Sequence, residues 1–252
     1  MAEYEIYPLE IGYFPDHDRS SITYLKGTGE KHYAPILVFI IKGNGKTILV
    51  DTGASDPDFA EKYHHTIIQT EDMKILNALK RIGVTVDDID FLINTHLHWD
   101  HCFNNDLFPG KKIYLQKREF DFAVDPWPVL RPAYEHYKTD RTPPWACSLP
   151  YFEFVNGDCE ILPGIKLISM PGHSPGSQGV MTDTREGKYL ICGDAIPAYE
   201  IWEAPGHEMI GIFSDMEAQY NTYKKLDAMG DFRILPGHDK RVLDHSVYPN
   251  KE

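Results

Sequence analysis

One short run of the chain, Thr95-His96-Leu97-His98-Trp99-Asp100-His101, constrains the fold more than any other stretch. It places three imidazoles and one carboxylate within six residues, and these are the side chains that zinc and similar divalent ions accept as ligands. Without an ion, such a cluster would leave several partly desolvated polar groups unsatisfied. The run therefore predicts a metal site.

An apolar segment, Phe91-Leu92-Ile93-Asn94, precedes this run and predicts a short strand. The ligands would then lie on the loop at the carboxyl end of that strand, where open α/β sheets place their sites. A tightly turned loop, unlike a regular strand, directs neighbouring side chains to different points. We therefore expect His96 and His98 to face one ion, and Asp100 and His101 to face a second.

Further ligand-type side chains occur in three later motifs: Pro171-Gly172-His173-Ser174, Cys192-Gly193-Asp194-Ala195 and Leu235-Pro236-Gly237-His238. Upstream, Asp51-Thr52-Gly53 follows an apolar segment that predicts a strand. Together with the His-x-His-x-Asp-His run, these motifs resemble those of the metallo-β-lactamase superfamily. The resemblance extends from about residue 35 to residue 239, which is most of the chain.

The resemblance implies a binuclear metal site. One ion would be held by His96, His98 and His173 and the other by Asp100, His101 and His238, with Asp194 bridging both. Two divalent ions per chain are expected, zinc first, with manganese, iron and cobalt as alternatives. A hydroxide between ions about 3.5 to 4 Å apart would be the nucleophile, with Asp100 and Asp194 as catalytic carboxylates. The alternative is a non-catalytic metal-binding domain, although structural zinc sites usually need no bridging carboxylate.

The resemblance also implies an α/β (α+β) fold, an αβ/βα four-layer sandwich with two β-rich halves flanked by helices. The apolar pattern predicts strands over residues 5–12, 35–41, 47–50, 91–94, 113–115, 180–182, 189–192 and 232–235. Hairpins are predicted around Gly43-Asn44-Gly45 and over residues 160–170, and a loop after the first strand to residue 31. Helices are predicted over residues 117–123, over 70–81 from Thr70 to a stop at Gly83, and over 214–229 from a capping box at Ser214.

Length and charge narrow the class of protein. The 252 residues suit one α/β domain or two small ones, and we expect a single domain over residues 1–252. With a net charge of −13, the chain lacks the excess of Lys and Arg that binding to a nucleic-acid backbone requires, so no nucleic-acid partner is expected. No apolar run reaches the length of a membrane span, and the N-terminal residues lack a secretory pattern. A cytoplasmic protein without a membrane partner is therefore expected.

Residues 124–155 form an insertion between two ligand motifs and are rich in proline and aromatic residues. These residues are Pro126, Trp127, Pro128, Pro132, Tyr134, Tyr137, Pro143, Pro144, Trp145, Pro150, Tyr151 and Phe152. Long ordered loops in a compact domain are often functional, and aromatic side chains beside a metal cleft would form an apolar wall or lid for the substrate. The alternatives are a small separate core or a dimer contact, and the latter would make the protein a homodimer.

The chain is most similar, within the superfamily, to the N-acyl homoserine lactonases and their relatives. That resemblance implies hydrolytic opening of a small-molecule lactone or other ester, with a phosphodiesterase or thioesterase as the alternative. Many such lactonases carry a tyrosine three residues after the bridging aspartate, where this chain has Pro197. Tyr199 is the nearest phenol and is the candidate catalytic replacement, and the following loop with Trp202 is a candidate pocket wall.

Two further residues have alternative roles. The resemblance implies that Asp51 hydrogen-bonds near the ligand loop and orients it, whereas the residues alone also allow an aspartate that only begins a turn. Cys102, next to His101, is expected to pack in the core, with a place in the site wall as the alternative.

Overall fold

Two β-sheets and six α-helices are present within residues 3–250, the part of the chain that the computed structural model describes. The first sheet contains, in spatial order, β1 (Glu5–Asp18), β2 (Lys31–Gly43), β3 (Lys46–Val50), β4 (Phe91–Ile93), β5 (Lys112–Gln116) and β6 (Phe152–Val155). The second contains β7 (Cys159–Leu162), β8 (Ile165–Ser169), β9 (Gln178–Thr184), β10 (Gly187–Ile191) and β11 (Arg233–Leu235). The helices are α1 (Pro57–Tyr63), α2 (Ile75–Arg81), α3 (Trp99–Cys102), α4 (Lys117–Val124), α5 (Tyr199–Glu203) and α6 (Met216–Asp227).

Strand β2 shows why this sequence forms stacked layers. Its even-numbered residues from Ile36 to Ile40 face one hydrophobic core, and its odd-numbered residues from Leu37 to Ile41 face another. Because side chains alternate across a strand, an uninterrupted apolar run buries both faces of the sheet. Each face must therefore be covered by another layer.

The layers that cover these faces form the predicted sandwich. Val50 of the first sheet and Val180 and Leu235 of the second share the core between the sheets. The outer face of the first sheet is covered by α1 and α2, and that of the second by α5 and α6. The αβ/βα four-layer fold class is thus confirmed.

Within residues 3–250, none of the helices combines the length and the apolar character that crossing a bilayer requires. The predicted domain of residues 1–252 includes residues 1, 2, 251 and 252, which lie outside the described part. The assignment of a single domain stays a prediction.

The first third of the chain differs from the predicted elements in three places. Strand β1 continues to Asp18 instead of ending near residue 12, because it keeps pairing with β2. The predicted helix over residues 70–81 is broken at Lys74, whose ψ of 133° separates a 3₁₀ turn from α2, and Thr70 makes no side-chain cap. Helix α1 was not predicted, although Asp56 caps it by accepting a hydrogen bond from the Phe59 N–H.

Other predicted elements are close to the structure. The hairpin at Gly43-Asn44-Gly45 is confirmed, with φ of 50° at Asn44 and 70° at Gly45. Helix α6 begins as predicted, but its cap is Asp215, which accepts from the Ala218 N–H, whereas the Ser214 hydroxyl donates to the Gly172 carbonyl. The tertiary contact of Ser214 therefore replaces its expected role in capping.

The insertion over residues 124–155 is largely built into the fold. It contains 3₁₀ turns at Tyr137–Thr139 and Pro144–Tyr151, and then β6, which adds to the first sheet parallel to β5. Tyr134 and Trp145 are buried in a small separate core with Cys102, whereas Trp127 and Tyr137 are exposed. The dimer contact stays a prediction.

Candidate metal centre

The ligand-type residues follow the carboxyl ends of four strands. The His-x-His-x-Asp-His run follows β4, and His173, Asp194 and His238 follow β8, β10 and β11. Strands β10 and β11 are parallel, and β8 runs in the same direction because β9 separates it from β10 by two antiparallel steps. These ends therefore meet at one edge of the sandwich, as the apolar pattern predicts.

The first group of ligand-type atoms belongs to His96, His98 and His173. One atom from each of these buried residues lies within 4.8 Å of the others. The His98 Nδ1 and His173 Nε2 atoms are 3.0 Å apart. Burial, together with the neighbouring imidazoles, holds the pKa of His96 and that of His98 well below the usual value. Both rings are therefore neutral, which is the form that binds a metal ion.

The second group consists of Asp100, His101, Asp194 and His238, again with one atom from each within 4.8 Å of the others. The Oδ1 atom of Asp194 lies 3.1 Å from His101 Nε2 and 3.0 Å from His238 Nε2. Its Oδ2 atom lies 3.4 Å from the Nε2 atom of His173, in the first group. Asp194 thus lies between the two groups with one oxygen toward each, as a bridging carboxylate would.

Several of these atoms have no hydrogen-bond partner in the described part of the chain. They include the buried His96 Nε2, His101 Nε2 and Asp194 Oδ1 atoms. Leaving a buried polar atom unpaired costs free energy. Ligand atoms that lie about 3 Å apart without hydrogen-bond geometry are expected where their lone pairs point at one cation. Nitrogen and carboxylate oxygen are also the donors that zinc accepts. The residues therefore fit two divalent ions.

Asp51 holds the loop that carries the first motif. Its carboxylate accepts hydrogen bonds from the backbone N–H and the hydroxyl of Thr95, both at 2.7 Å. Its Oδ2 atom also lies 2.9 Å from His101 Nδ1. Asp51 directly follows β3 with a φ of +60°, so it both turns the chain and orients a ring of the second group. The orienting contact predicted for it is present.

Two other rings are fixed by backbone carbonyls. The Nδ1 atom of His238 lies 2.8 Å from the Pro35 carbonyl, and that of His173 lies 3.0 Å from the Ile212 carbonyl. Each contact places the proton on Nδ1 and leaves the lone pair of Nε2 directed into the site.

Glu119 of α4 is a residue that the sequence reasoning missed. Its buried carboxylate accepts hydrogen bonds from the Leu97 N–H and the Tyr134 hydroxyl, both at 3.0 Å. It also accepts from the Ser174 hydroxyl at 2.6 Å and the Gly176 N–H at 3.0 Å. Glu119 therefore ties the first motif to the His173 loop and to the insertion. A Cβ at Gly176 would lie 2.2 Å from the Glu119 backbone nitrogen, so this close approach requires glycine.

A cavity of about 350 Å³ opens onto both groups. It is lined by Phe14, His17, Ser21, Ile22, Ala34, Tyr63, His64, His65, His98, Trp99, Asp100, Val129, Leu130, Pro132, Ala133, His173, Asp194, Pro197, Ile210, Ile212 and His238. The insertion contributes Val129, Leu130, Pro132 and Ala133, and not the aromatic residues expected there. Tyr134 and Trp145 are instead used in the core, and Trp127 and Tyr137 point to solvent.

Tyr199 and Trp202 lie away from this cavity. Tyr199 lines a separate cleft, and the Arg241 guanidinium lies 4.2 Å from the centre of its ring. Trp202 stacks on His207 at 4.1 Å. The structure therefore does not bring Tyr199 to the ligand groups, because its backbone N–H is held by Asp239 at the start of α5.

Cys102 is fully buried in the small core that contains Leu97 and Leu115. Burial raises the pKa of its thiol well above the usual value, so it stays protonated. Its position agrees with the predicted packing role.

Known proteins share both the motifs and the fold. The sequence pattern of the metallo-beta-lactamase superfamily matches residues 34–238. The N-acyl homoserine lactonase AiiA of Bacillus thuringiensis subsp. kurstaki is 30% identical over 198 residues, which are 74% of this chain and 74% of that protein. An N-acyl homoserine lactonase of a Bacillus species is 29% identical over 221 residues, 83% of this chain and 82% of that protein.

Solved structures agree with these matches. An N-acyl homoserine lactone hydrolase with the product N-hexanoyl-L-homoserine bound at its catalytic metal center has a TM-score of 0.79 to this chain, at 27% identity. The similarity covers 97% of this chain and 96% of that one. Because the superfamily pattern covers most of the chain and spans all seven residues of the two ligand groups, this protein belongs to the metallo-β-lactamase superfamily.

Proposed function

We propose that this protein is a binuclear metal-dependent hydrolase that opens a lactone, either an N-acyl homoserine lactone or another cyclic ester. The relatives described above are lactonases, and members of both ligand groups line one cavity. Zinc is the proposed ion, because five imidazoles and two carboxylates form the two groups, and zinc accepts both kinds of donor.

The observation that carries the choice of a lactone is the uncharged wall of the cavity. Among the described residues that line it, outside the ligand groups, none is Lys, Arg, Asp or Glu. Burial, with His238 nearby, lowers the pKa of His17 to about 4, and burial also lowers that of His65, so both are neutral near pH 7. A phosphodiester would lack the cationic partners that phosphate recognition commonly uses, whereas a neutral ester with an apolar substituent fits.

The residues of the chain have separate parts in this chemistry. When bound, two divalent ions would supply an ionised water as the nucleophile and a Lewis acid for the carbonyl. His96, His98 and His173 would hold one ion, Asp100, His101 and His238 the other, and Asp194 both. Trp99 and the apolar residues Val129, Leu130, Pro132 and Ala133 would exclude bulk water and bind the substituent.

The test is a panel of one lactone, one thioester and one phosphodiester offered to the zinc-loaded protein. The three classes are represented by N-hexanoyl homoserine lactone, an acyl thioester and bis-p-nitrophenyl phosphate. We expect kcat/KM for the lactone to exceed the other two values at least a hundredfold, which corresponds to about 2.7 kcal/mol of transition-state binding. His173→Ala should abolish lactone opening, and the exposed Tyr220→Ala is the matched control. Faster turnover of the phosphodiester or thioester would overturn the proposal.

A further inference from the structure

His64 is held in the cavity wall by a buried charged network. It directly follows α1, and its Nε2 atom contacts the carboxylate of Glu135 in the insertion. The other Glu135 oxygen contacts the Arg141 guanidinium. The Glu135 side chain is fully buried, and those of His64 and Arg141 are 5% and 12% exposed. None of the three belongs to the ligand groups.

The imidazole ring is also fixed from one face. His64 stacks on Trp99 with ring centres 4.1 Å apart and planes only 3° from parallel. Trp99 lies between His98 and Asp100 in the chain, one from each ligand group. A ring that is clamped by stacking and by a hydrogen bond has lost its rotational freedom, so a contact made by its other nitrogen carries little further entropic cost.

The network determines which nitrogen of His64 carries the proton. A carboxylate only accepts hydrogen bonds, so Nε2 of His64 donates to Glu135. Arg141 lies against the other oxygen of Glu135, so the charge of Glu135 already has a partner. In the imidazole tautomer that carries its proton on Nε2, the lone pair is on Nδ1. Within residues 3–250 this atom has no hydrogen-bond partner and is not among the atoms buried without one, so it is accessible on a residue that lines the cavity.

We propose that His64 is a specificity-determining residue whose Nδ1 accepts a hydrogen bond from an N–H or O–H group on the substrate. The proposal rests on the proposed lactonase function and adds the chemistry of the substituent. Because His64 and both ligand groups line the same cavity, a lactone whose carbonyl lies at the ligand groups would place a donor on its ring substituent beside this ring. Lactones without such a donor would leave Nδ1 desolvated and unpaired.

The test compares two lactones that differ in one group. The first is a γ-lactone with a hexanoylamino substituent, and the second has a CH₂ in place of the amide N–H. The readout is the ratio of their kcat/KM values. In the wild-type protein we expect the N–H lactone to be preferred about tenfold or more, because a site that loses its partner leaves a buried acceptor unpaired.

Two variants remove the acceptor and should lower this ratio to about one. His64→Phe keeps a flat ring to stack on Trp99, and His64→Leu is measured beside it in case the larger ring disturbs packing. His245→Phe is the control, because His245 lies outside the cavity wall and should keep the wild-type ratio. A ratio near one in the wild type, or a preference retained in both His64 variants, would overturn the inference while leaving lactone opening established. Opening of neither lactone by the wild type would overturn both proposals.

Discussion

Replacing Glu119 by glutamine tests how the chain holds the first ligand group. The carboxylate accepts four buried hydrogen bonds, two on each oxygen. In Glu119→Gln the amide oxygen can keep the hydrogen bonds from Leu97 and Tyr134, but the NH₂ group then faces the Ser174 hydroxyl and the Gly176 N–H. The hydroxyl can rotate and accept a hydrogen bond from the NH₂ group, whereas the N–H can only donate. One buried donor is therefore left unpaired, and the remaining bonds lose the help of the negative charge.

The magnitude follows from these losses. An unpaired buried donor costs about 1 to 3 kcal/mol, and each bond to a charged group exceeds its neutral counterpart by about 1 kcal/mol. With one donor unpaired and three bonds weakened, we expect the free energy of unfolding of the metal-free protein to fall by about 4 to 6 kcal/mol, measured by urea denaturation. The exposed Glu61→Gln is the matched control and should change it by less than about 0.5 kcal/mol.

The same variant should affect the two ions unequally. Glu119 binds the N–H of Leu97, between His96 and His98, and the hydroxyl of Ser174, beside His173. Loss of an outer partner lowers metal affinity about 10- to 100-fold, so competition with a chelator should remove one ion at lower chelator concentration than in the wild type. The second ion should be retained normally, because Asp51 orients its ligands. Wild-type stability, or equal weakening of both ions, would refute this account of Glu119.

Three further outcomes are expected. Gly176→Ala should destabilise the fold by about 3 kcal/mol or more in the same urea assay, because its Cβ would lie 2.2 Å from the Glu119 nitrogen; a stability equal to wild type would be inconsistent with that contact. Tyr199→Phe should leave kcat for a lactone within about twofold, since its ring faces Arg241; a tenfold loss would restore its catalytic role. The pKa of His17 is about 4 in the fold against 6.5 for the free side chain, so the unfolded chain binds more protons between these values. Stability should therefore fall by about 3 kcal/mol as pH drops from 6.5 to 4, and His17→Asn should remove that part of the loss in pH-dependent urea titrations.

The sequence predicted the ligand groups because their signal is local. His96 to His101 lie within one loop, and each later ligand directly follows a short apolar strand. Parallel strand ends must meet at one edge of a sheet, so their convergence follows from topology. For Asp51 the sequence left two alternative roles open, and the structure shows both, since a residue that directly follows a strand beside the ligand loop can turn the chain and touch the loop.

The substrate wall could not be predicted in the same way, because composition does not determine which aromatic residues are buried. Tyr134 is buried where its hydroxyl reaches Glu119, whereas Trp127, seven residues earlier, is exposed. Glu119 itself looks like an ordinary helix residue until the distant Ser174 is brought beside it. Tyr199 is turned away by Asp239, a partner 40 residues along the chain.

The central claim is that two ions held by seven side chains make this protein a lactone hydrolase. The most direct measurement is a titration of the metal-free protein with zinc, following the rate of lactone opening at each addition. The account predicts that activity rises until two equivalents of zinc are bound and then stays constant. Activity that is complete at one equivalent, or no lactone opening at any zinc loading, would contradict it.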